Sequence, residues 1–436
     1  MEEEAEILIE GSLVVPVNGR GLVHNGTIAV KNGTITYMGR SSQASKIKAE
    51  KKIDAKGKVA LPGLINCHTH IPMTLFRGMA EDQPLDKWLK ETIWPSEAKL
   101  KPEDVYTGAL LGCQEMIESG TTCFADIYFH ENMVAKAVKE SGLRGVLAEG
   151  IIEAGNKERG EKMLQNSVVF IEKHHGQADG RVTTMLGPHA AYSCSPNLLS
   201  QISEIAAELE VGVHTHMAES EKMSKKLREE YGLSEVDFLD KAGVLEADVL
   251  AAHCINLARK DMQTLSERKV NVAYVPVSNM KFGLGTARIC ELINLGINVA
   301  LGTDGPASNN TLDMFETMKV AALLQKNLYL DPKILTAKEV LEMATIKGAE
   351  ALGLSKEIGS LEVGKRADII LVDISKTHTV PLHNIFATII YSARGSDVDT
   401  VIVDGKIVME DRIMVTIDKE AVIKHAEETA CALVSR

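Results

Sequence analysis

The 436-residue sequence has no Cys-x-x-Cys pair, no apolar run long enough to cross a bilayer and no surplus of basic charge. Each absence removes a class of function. Seven cysteines stand singly at 67, 113, 123, 194, 254, 290 and 431, an odd, dispersed set that argues against a disulfide framework and a thiolate zinc site. Their natural reading is small apolar packing, Cys67 and Cys254 included. The formal net charge is -12, whereas phosphate recognition needs a concentrated basic footprint, so no nucleic-acid partner is expected. No run reaches the roughly 18 apolar residues of a membrane span, and no N-terminal stretch joins a charged start, an apolar core and a small-residue cleavage site. A cytoplasmic protein without a membrane partner is the expectation. Nor does a Gly-x-Gly-x-x-Gly follow the first strand of the central region, which leaves a doubly wound nucleotide-cofactor sheet without support.

What is present has a clear order. A chain of this length exceeds the size at which one core stops growing, so a large catalytic domain and a smaller one are expected. The N-terminal 60 residues hold short β-rich runs, with Asn32-Gly33 as a hairpin signal between two of them. Similar runs return after residue 355, as Ala367–Asp373 and as Val398–Met409 around Asp404-Gly405. Residues 1–60 and 356–436 are therefore expected to pair into one small composite β-sandwich domain with a C-terminal helix, because either part alone is a small sheet. Between them, residues 61–355 alternate eight strand-like apolar runs with helix-like stretches such as Leu198–Leu209 and Leu312–Gln325. Eight repeats favour an α/β fold of the TIM-like (β/α)8 barrel type.

The polar residues fall where a barrel builds its chemistry. Leu61-Pro-Gly-Leu-Ile-Asn-Cys-His-Thr-His70 reads as a buried strand on which His68 and His70, two apart, share a face. They are half of a metal site, or a strand end that happens to be polar. His189, His214-Thr-His216-Met-Ala-Glu219, His253 and Asp304 also end apolar runs, at the carboxyl ends where barrel enzymes place their sites. Imidazoles with one carboxylate suit Zn²⁺ or Fe²⁺, and a metal-held water is made acidic enough to supply hydroxide near neutral pH. Glu219, three residues beyond His216, is the best placed proton shuttle.

On these residues, with Met73-Thr-Leu-Phe-Arg-Gly-Met-Ala-Glu-Asp82, Trp88-Leu, Gly187-Pro-His189 and Gly302-Thr-Asp-Gly-Pro-Ala-Ser-Asn309, the chain resembles the amidohydrolase superfamily. Within it, nearly the whole chain is similar to the 5′-methylthioadenosine/S-adenosylhomocysteine deaminases, close to the 5′-deoxyadenosine deaminase type. The resemblance implies one divalent metal per subunit on His68, His70, His216 and Asp304, with Zn²⁺ as the leading candidate and Fe²⁺ or Mn²⁺ as alternatives. His216 rather than His214 is the implied ligand, because the family spaces the acid/base glutamate three residues after it. No lysine lies in Arg181–His189 to bridge a second metal.

The implied reaction is hydrolytic deamination of an adenosine-type nucleoside to the inosine analogue and ammonia. Water adds to the ring carbon that carries the amine, Asp304 accepts its proton, and Glu219 protonates the adjacent ring nitrogen. His253 orients the water or stabilises developing charge. The two-cysteine signature of the cytidine-deaminase type is missing. By position, Glu97 matches a carboxylate that binds ribose hydroxyls, and His189 matches a substrate contact. Glu149 stands where some relatives carry an arginine, which shifts the expectation from S-adenosylhomocysteine toward 5′-deoxyadenosine or 5′-methylthioadenosine. Arg159 is a candidate for meeting a substrate carboxylate, or else a solvated loop charge. A homo-oligomer, dimer or tetramer, is implied as well. A guanine deaminase or triazine chlorohydrolase on the same chassis and a non-catalytic scaffold are the competing readings. The scaffold predicts missing ligands, and none is missing.

Overall fold

A computed structural model describes residues 3–44 and 46–436. Its centre is an eight-stranded parallel sheet whose strands pair in chain order. They are Leu64–Thr69, Thr121–Tyr128, Arg144–Ile151, Val182–Pro188, Val213–Met217, Val249–His253, Asn271–Tyr274 and Val299–Leu301. The first and last strands lie side by side, joined by the hydrogen bond from the Asp304 amide to the His68 carbonyl at 2.9 Å. The barrel is thereby nearly closed. A parallel sheet wrapped by helices is buried on both faces, which is why the runs are continuously apolar rather than alternating. The first two strands are buried along their whole length.

The helices carry their own start signals. Pro196–Leu209 opens on the Ser195 hydroxyl, which accepts from the Leu198 amide, with Pro196 at the first helical position. It buries Leu198, Leu199, Ile202 and Ala206 against the barrel, each leucine or isoleucine contributing about 1.5–3 kcal/mol. Met314–Tyr329 opens on Asp313, whose carboxylate accepts from the Phe315 amide at 2.8 Å. The first covers the stretch Leu198–Leu209 read as helical from its spacing, and the second begins two residues later than the stretch Leu312–Gln325. Among the described residues, no helix is long and apolar enough to cross a membrane.

The two chain ends build one nine-stranded sheet. Lys58–Pro62 pairs in parallel with the first strand, Glu3–Val14, and antiparallel with Ile369–Asp373, Val59 facing Val372. Glu3–Val14 feeds two apolar clusters, with Ile7 and Ile9 in one and Leu8, between them, in the other. Asn32 and Gly33 take the left-handed conformation between paired strands, as the hairpin signal requires.

Two expectations need correction. The run from Leu61 to Asn66 is divided: residues up to Pro62 belong to the end-built sheet, and the barrel strand starts at Leu64. Gly63 allows the crossing, because a Cβ there would lie 2.0 Å from the Thr122 hydroxyl. The C-terminal helix, Lys419–Val434, packs on the barrel helix Pro102–Glu118 rather than on the composite sheet. Arg436 ties the chain end there through Asp104, at 3.2 Å to one carboxylate oxygen. We propose the same two-unit division, with its first boundary at Gly63.

One buried ion group joins the two sheets. Arg144, on the third barrel strand, donates two bonds of 3.3 Å to Asp368, and its guanidinium lies 3.7 Å from Asp404. All three side chains are almost fully buried. Asp404 also has Arg366 at 3.3 Å, but removing Arg144 leaves the buried Asp368 without its cation, so Arg144→Ala should lower the unfolding free energy by about 3–5 kcal/mol. Urea unfolding checks this, and an unchanged midpoint would show that the two sheets do not depend on the pair.

Candidate metal centre

Four strands deliver the site. His68 and His70 end the first, His216 lies on the fifth, His253 ends the sixth and Asp304 follows the eighth. The chain turns sharply at the last two points: His253 and Asp304 have φ of 73° and 66°. Such left-handed backbone costs a non-glycine residue about 1–3 kcal/mol and gathers at functional sites. A Cβ at Gly302 would come within 2.9 Å of His68, so only glycine lets the eighth strand approach the first this closely.

The direction of each imidazole is set from behind. His70 Nδ1 donates to the Ile127 carbonyl at 2.7 Å, and His216 Nδ1 donates to the His189 carbonyl at 2.7 Å. Carbonyl oxygens only accept, so each ring must present an unprotonated Nε2 forward. These two nitrogens are 3.2 Å apart. Asp304 Oδ1 lies 3.4 Å from His70 Nε2 and 3.7 Å from His68 Nε2. His68 Nε2 is buried and has no hydrogen-bond partner.

Lone pairs facing one another without a proton to share repel, and a cation between them removes the repulsion. Donors around a tetrahedral zinc with bonds of about 2.0–2.1 Å stand roughly 3.3 Å from one another. The observed spacings fall around that value, and the side chains of His68, His70 and His216 bring their donor atoms within 4.8 Å. The residues present therefore fit a divalent cation, with Asp304 as the fourth donor. Burial holds His68 and His216 well below the ordinary histidine range, the neighbouring imidazoles adding to the effect. Neutral rings are what coordination needs.

The cavity opens directly over this point. Glu219 and His253 line it, with His253 Nε2 at 3.7 Å from a Glu219 oxygen. Burial raises the Glu219 carboxyl above the ordinary carboxylate range, opposed by His253. His189 faces the same cavity, pushed down to about 4 by burial. Glu97 stands on its wall, and burial pushes its carboxyl up to about 7 against the pull of Tyr128 and His70. Trp88, Trp94, Tyr192 and Phe282 supply aromatic walls.

Two expected contacts are not brought to the cavity. Glu149 is turned to the start of the helix Glu131–Ser141, where its oxygens accept from the amides of His130 and Glu131 at 3.1 and 2.8 Å. A carboxylate at a helix N-terminus is favourable by itself, so the residue is engaged structurally. Arg159 lies exposed in the first turn of Lys157–His174, outside the cavity lining.

Other residues at the site were not foreseen. Ser278 donates to Asp304 Oδ2 at 2.6 Å, and the Asn279 side-chain oxygen accepts from His253 Nδ1 at 2.9 Å. Both follow the seventh strand, and the carboxyl-end rule that located the histidines reaches them too. Tyr128, the last residue of the second strand, lines the cavity with a buried hydroxyl that acts on Glu97.

A model of the amidohydrolase family matches residues 59–408. The chain belongs to that family. The amidohydrolase is 46% identical over 434 residues to a 5-methylthioadenosine/S-adenosylhomocysteine deaminase of Pelotomaculum thermopropionicum, covering 99% of this chain and 100% of that one. It is 47% identical over 433 residues to a 5′-deoxyadenosine deaminase of Methanosarcina acetivorans, covering 99% of each. Among solved structures, an adenosine deaminase from Xanthomonas campestris with bound zinc superposes with a TM-score of 0.96 at 32% identity, over 100% of both chains. The family is metal-dependent, and the donor set suits a divalent cation.

Proposed function

We propose that this amidohydrolase deaminates adenosine-type nucleosides hydrolytically, converting 5′-deoxyadenosine, 5′-methylthioadenosine, S-adenosylhomocysteine or adenosine to the inosine analogue and ammonia. The observation that carries the reading is the full-length likeness to two nucleoside deaminases at 46% and 47% identity. His68, His70, His216 and Asp304 would hold one divalent cation, zinc in this reading, which acidifies water near neutral pH. Iron(II) and manganese(II) are competing occupants for such donors.

The chain's own groups do the rest. The Glu219 carboxyl, whose protonated form burial favours, delivers its proton to the ring nitrogen beside the amine-bearing carbon and makes that carbon electrophilic. Asp304 takes the proton released as a water oxygen bonds to the carbon, and Ser278 steadies its other oxygen. Asn279 holds His253 so that its Nε2 faces the reacting water. The carbon–nitrogen bond then breaks, the proton from Asp304 leaves with ammonia, and the hydroxyl proton left on the ring carbon's oxygen returns to Glu219 as the carbonyl forms.

Glu97 would accept bonds from ribose hydroxyls, and His189 would border the nucleoside. A cleft of about 780 Å³ adjoins the cavity along Trp94, Ile152, His189 and Tyr192, which supports room for a 5′ substituent. A homo-oligomer is part of the same reading, supported by the exposed Leu323, Leu328 and Leu330. So is a cytoplasmic setting, supported by cysteines of which none is paired among the described residues.

The direct test follows adenine absorbance with 5′-deoxyadenosine, 5′-methylthioadenosine, S-adenosylhomocysteine and adenosine, beside guanine. The spectrum should shift to the inosine type with at least one adenosine; turnover of guanine alone would overturn the reading. Glu219→Gln should keep its metal and lose about 10²- to 10⁴-fold in kcat. Wild-type turnover in that variant would remove Glu219 from its role. Glu97 accepts well only when ionised, so KM for 5′-deoxyadenosine should fall as the pH rises through about 7. Glu97→Gln should abolish that dependence, and a variant with the wild-type profile would contradict the ribose contact.

A further inference from the structure

His214 shares a face of the fifth barrel strand with His216 and is fully buried. It does not turn to the cavity. Its Nε2 lies 2.9 Å from His68 Nδ1, the two rings nearly perpendicular at 78°. The backs of the other site histidines rest on oxygens: the Ile127 and His189 carbonyls and the Asn279 side chain. His68 alone is backed by a second imidazole, which can either accept or donate.

That ambiguity has a chemical consequence. A proton on His214 Nε2 would point at His68 Nδ1 and force the His68 proton onto Nε2, the atom aimed at the metal point. A proton on His214 Nδ1 leaves its Nε2 free to accept, so His68 carries its proton on Nδ1 and offers a lone pair forward. A divalent cation at the metal point needs a lone pair on His68 Nε2, which is buried without a hydrogen-bond partner, and this selects the second arrangement, in which His214 Nε2 accepts from His68 Nδ1. We propose that His214 is a positioning residue: held in its Nδ1–H tautomer, it fixes the tautomer of His68 and thereby sets the affinity of the site for its divalent metal.

The inference rests on the metal reading above, and its test separates the two. Metal-free protein is titrated with zinc against a chromogenic chelator, for wild type, His214→Phe, which cannot accept, and His214→Gln, which can place an oxygen near the lost Nε2. The Phe variant should bind zinc about 10- to 100-fold more weakly, as other supporting residues of metal ligands do, and Gln should recover most of the loss. A folded Phe variant with wild-type affinity overturns the inference alone; wild-type protein that takes up no zinc overturns the metal reading and the inference with it. Should the Phe variant fail to fold, ¹⁵N-histidine spectra of metal-free wild type decide. Protons on Nδ1 of both His68 and His214 are expected, and a proton on Nε2 of either ring overturns the proposal.

Discussion

A neutral imidazole has one lone pair, and the site depends on where each one points. His70, His216 and His253 are steered by oxygens behind them, and His68 by another ring. Because the steering groups are carried by other strands of the barrel or by the segments that follow them, the direction of each lone pair is set by the register of the barrel. The Ile127 carbonyl can back His70 only while the first and second strands hold their pairing. Near closure of the sheet is thus part of the chemistry, since the Asp304 amide joins the eighth strand to the His68 carbonyl.

This accounts for the rest of the chain. The barrel cannot allow slippage of strands whose carboxyl ends carry the donors. The end-built sheet braces it through Arg144, Asp368 and Asp404, and the C-terminal helix braces the barrel helix Pro102–Glu118. Left-handed backbone recurs at many turns of the chain, and at His253 and Asp304 it falls at the site itself, where the strands give way to the loops that carry the donors.

Much of this was legible because strand periodicity is local. His68 and His70 share a face by simple alternation, and the Asn32-Gly33 hairpin follows from φ preference alone. The eight apolar runs are legible because parallel strands are buried on both faces. What stayed hidden depends on contacts distant in the chain. Residues 214 and 216 share a strand face, and only the position of His68 on another strand turns His214 away from the cavity. Glu149 reads as a strand-end carboxylate, but a helix start packed beside it competes for its oxygens. Leu61 to Asn66 looks like one strand, and the proximity of Thr122 to Gly63 makes it two. The docking of the last helix follows from shape in three dimensions, which its own periodicity does not contain.

The measurement that bears most directly on the convergence of these donors is diffraction from crystals grown with zinc, recorded on both sides of the zinc absorption edge. The account predicts one anomalous peak at about 2.0–2.2 Å from Nε2 of His68, His70 and His216 and from a carboxylate oxygen of Asp304. A cavity without a peak, or a peak held by His214 in place of His68, would contradict it.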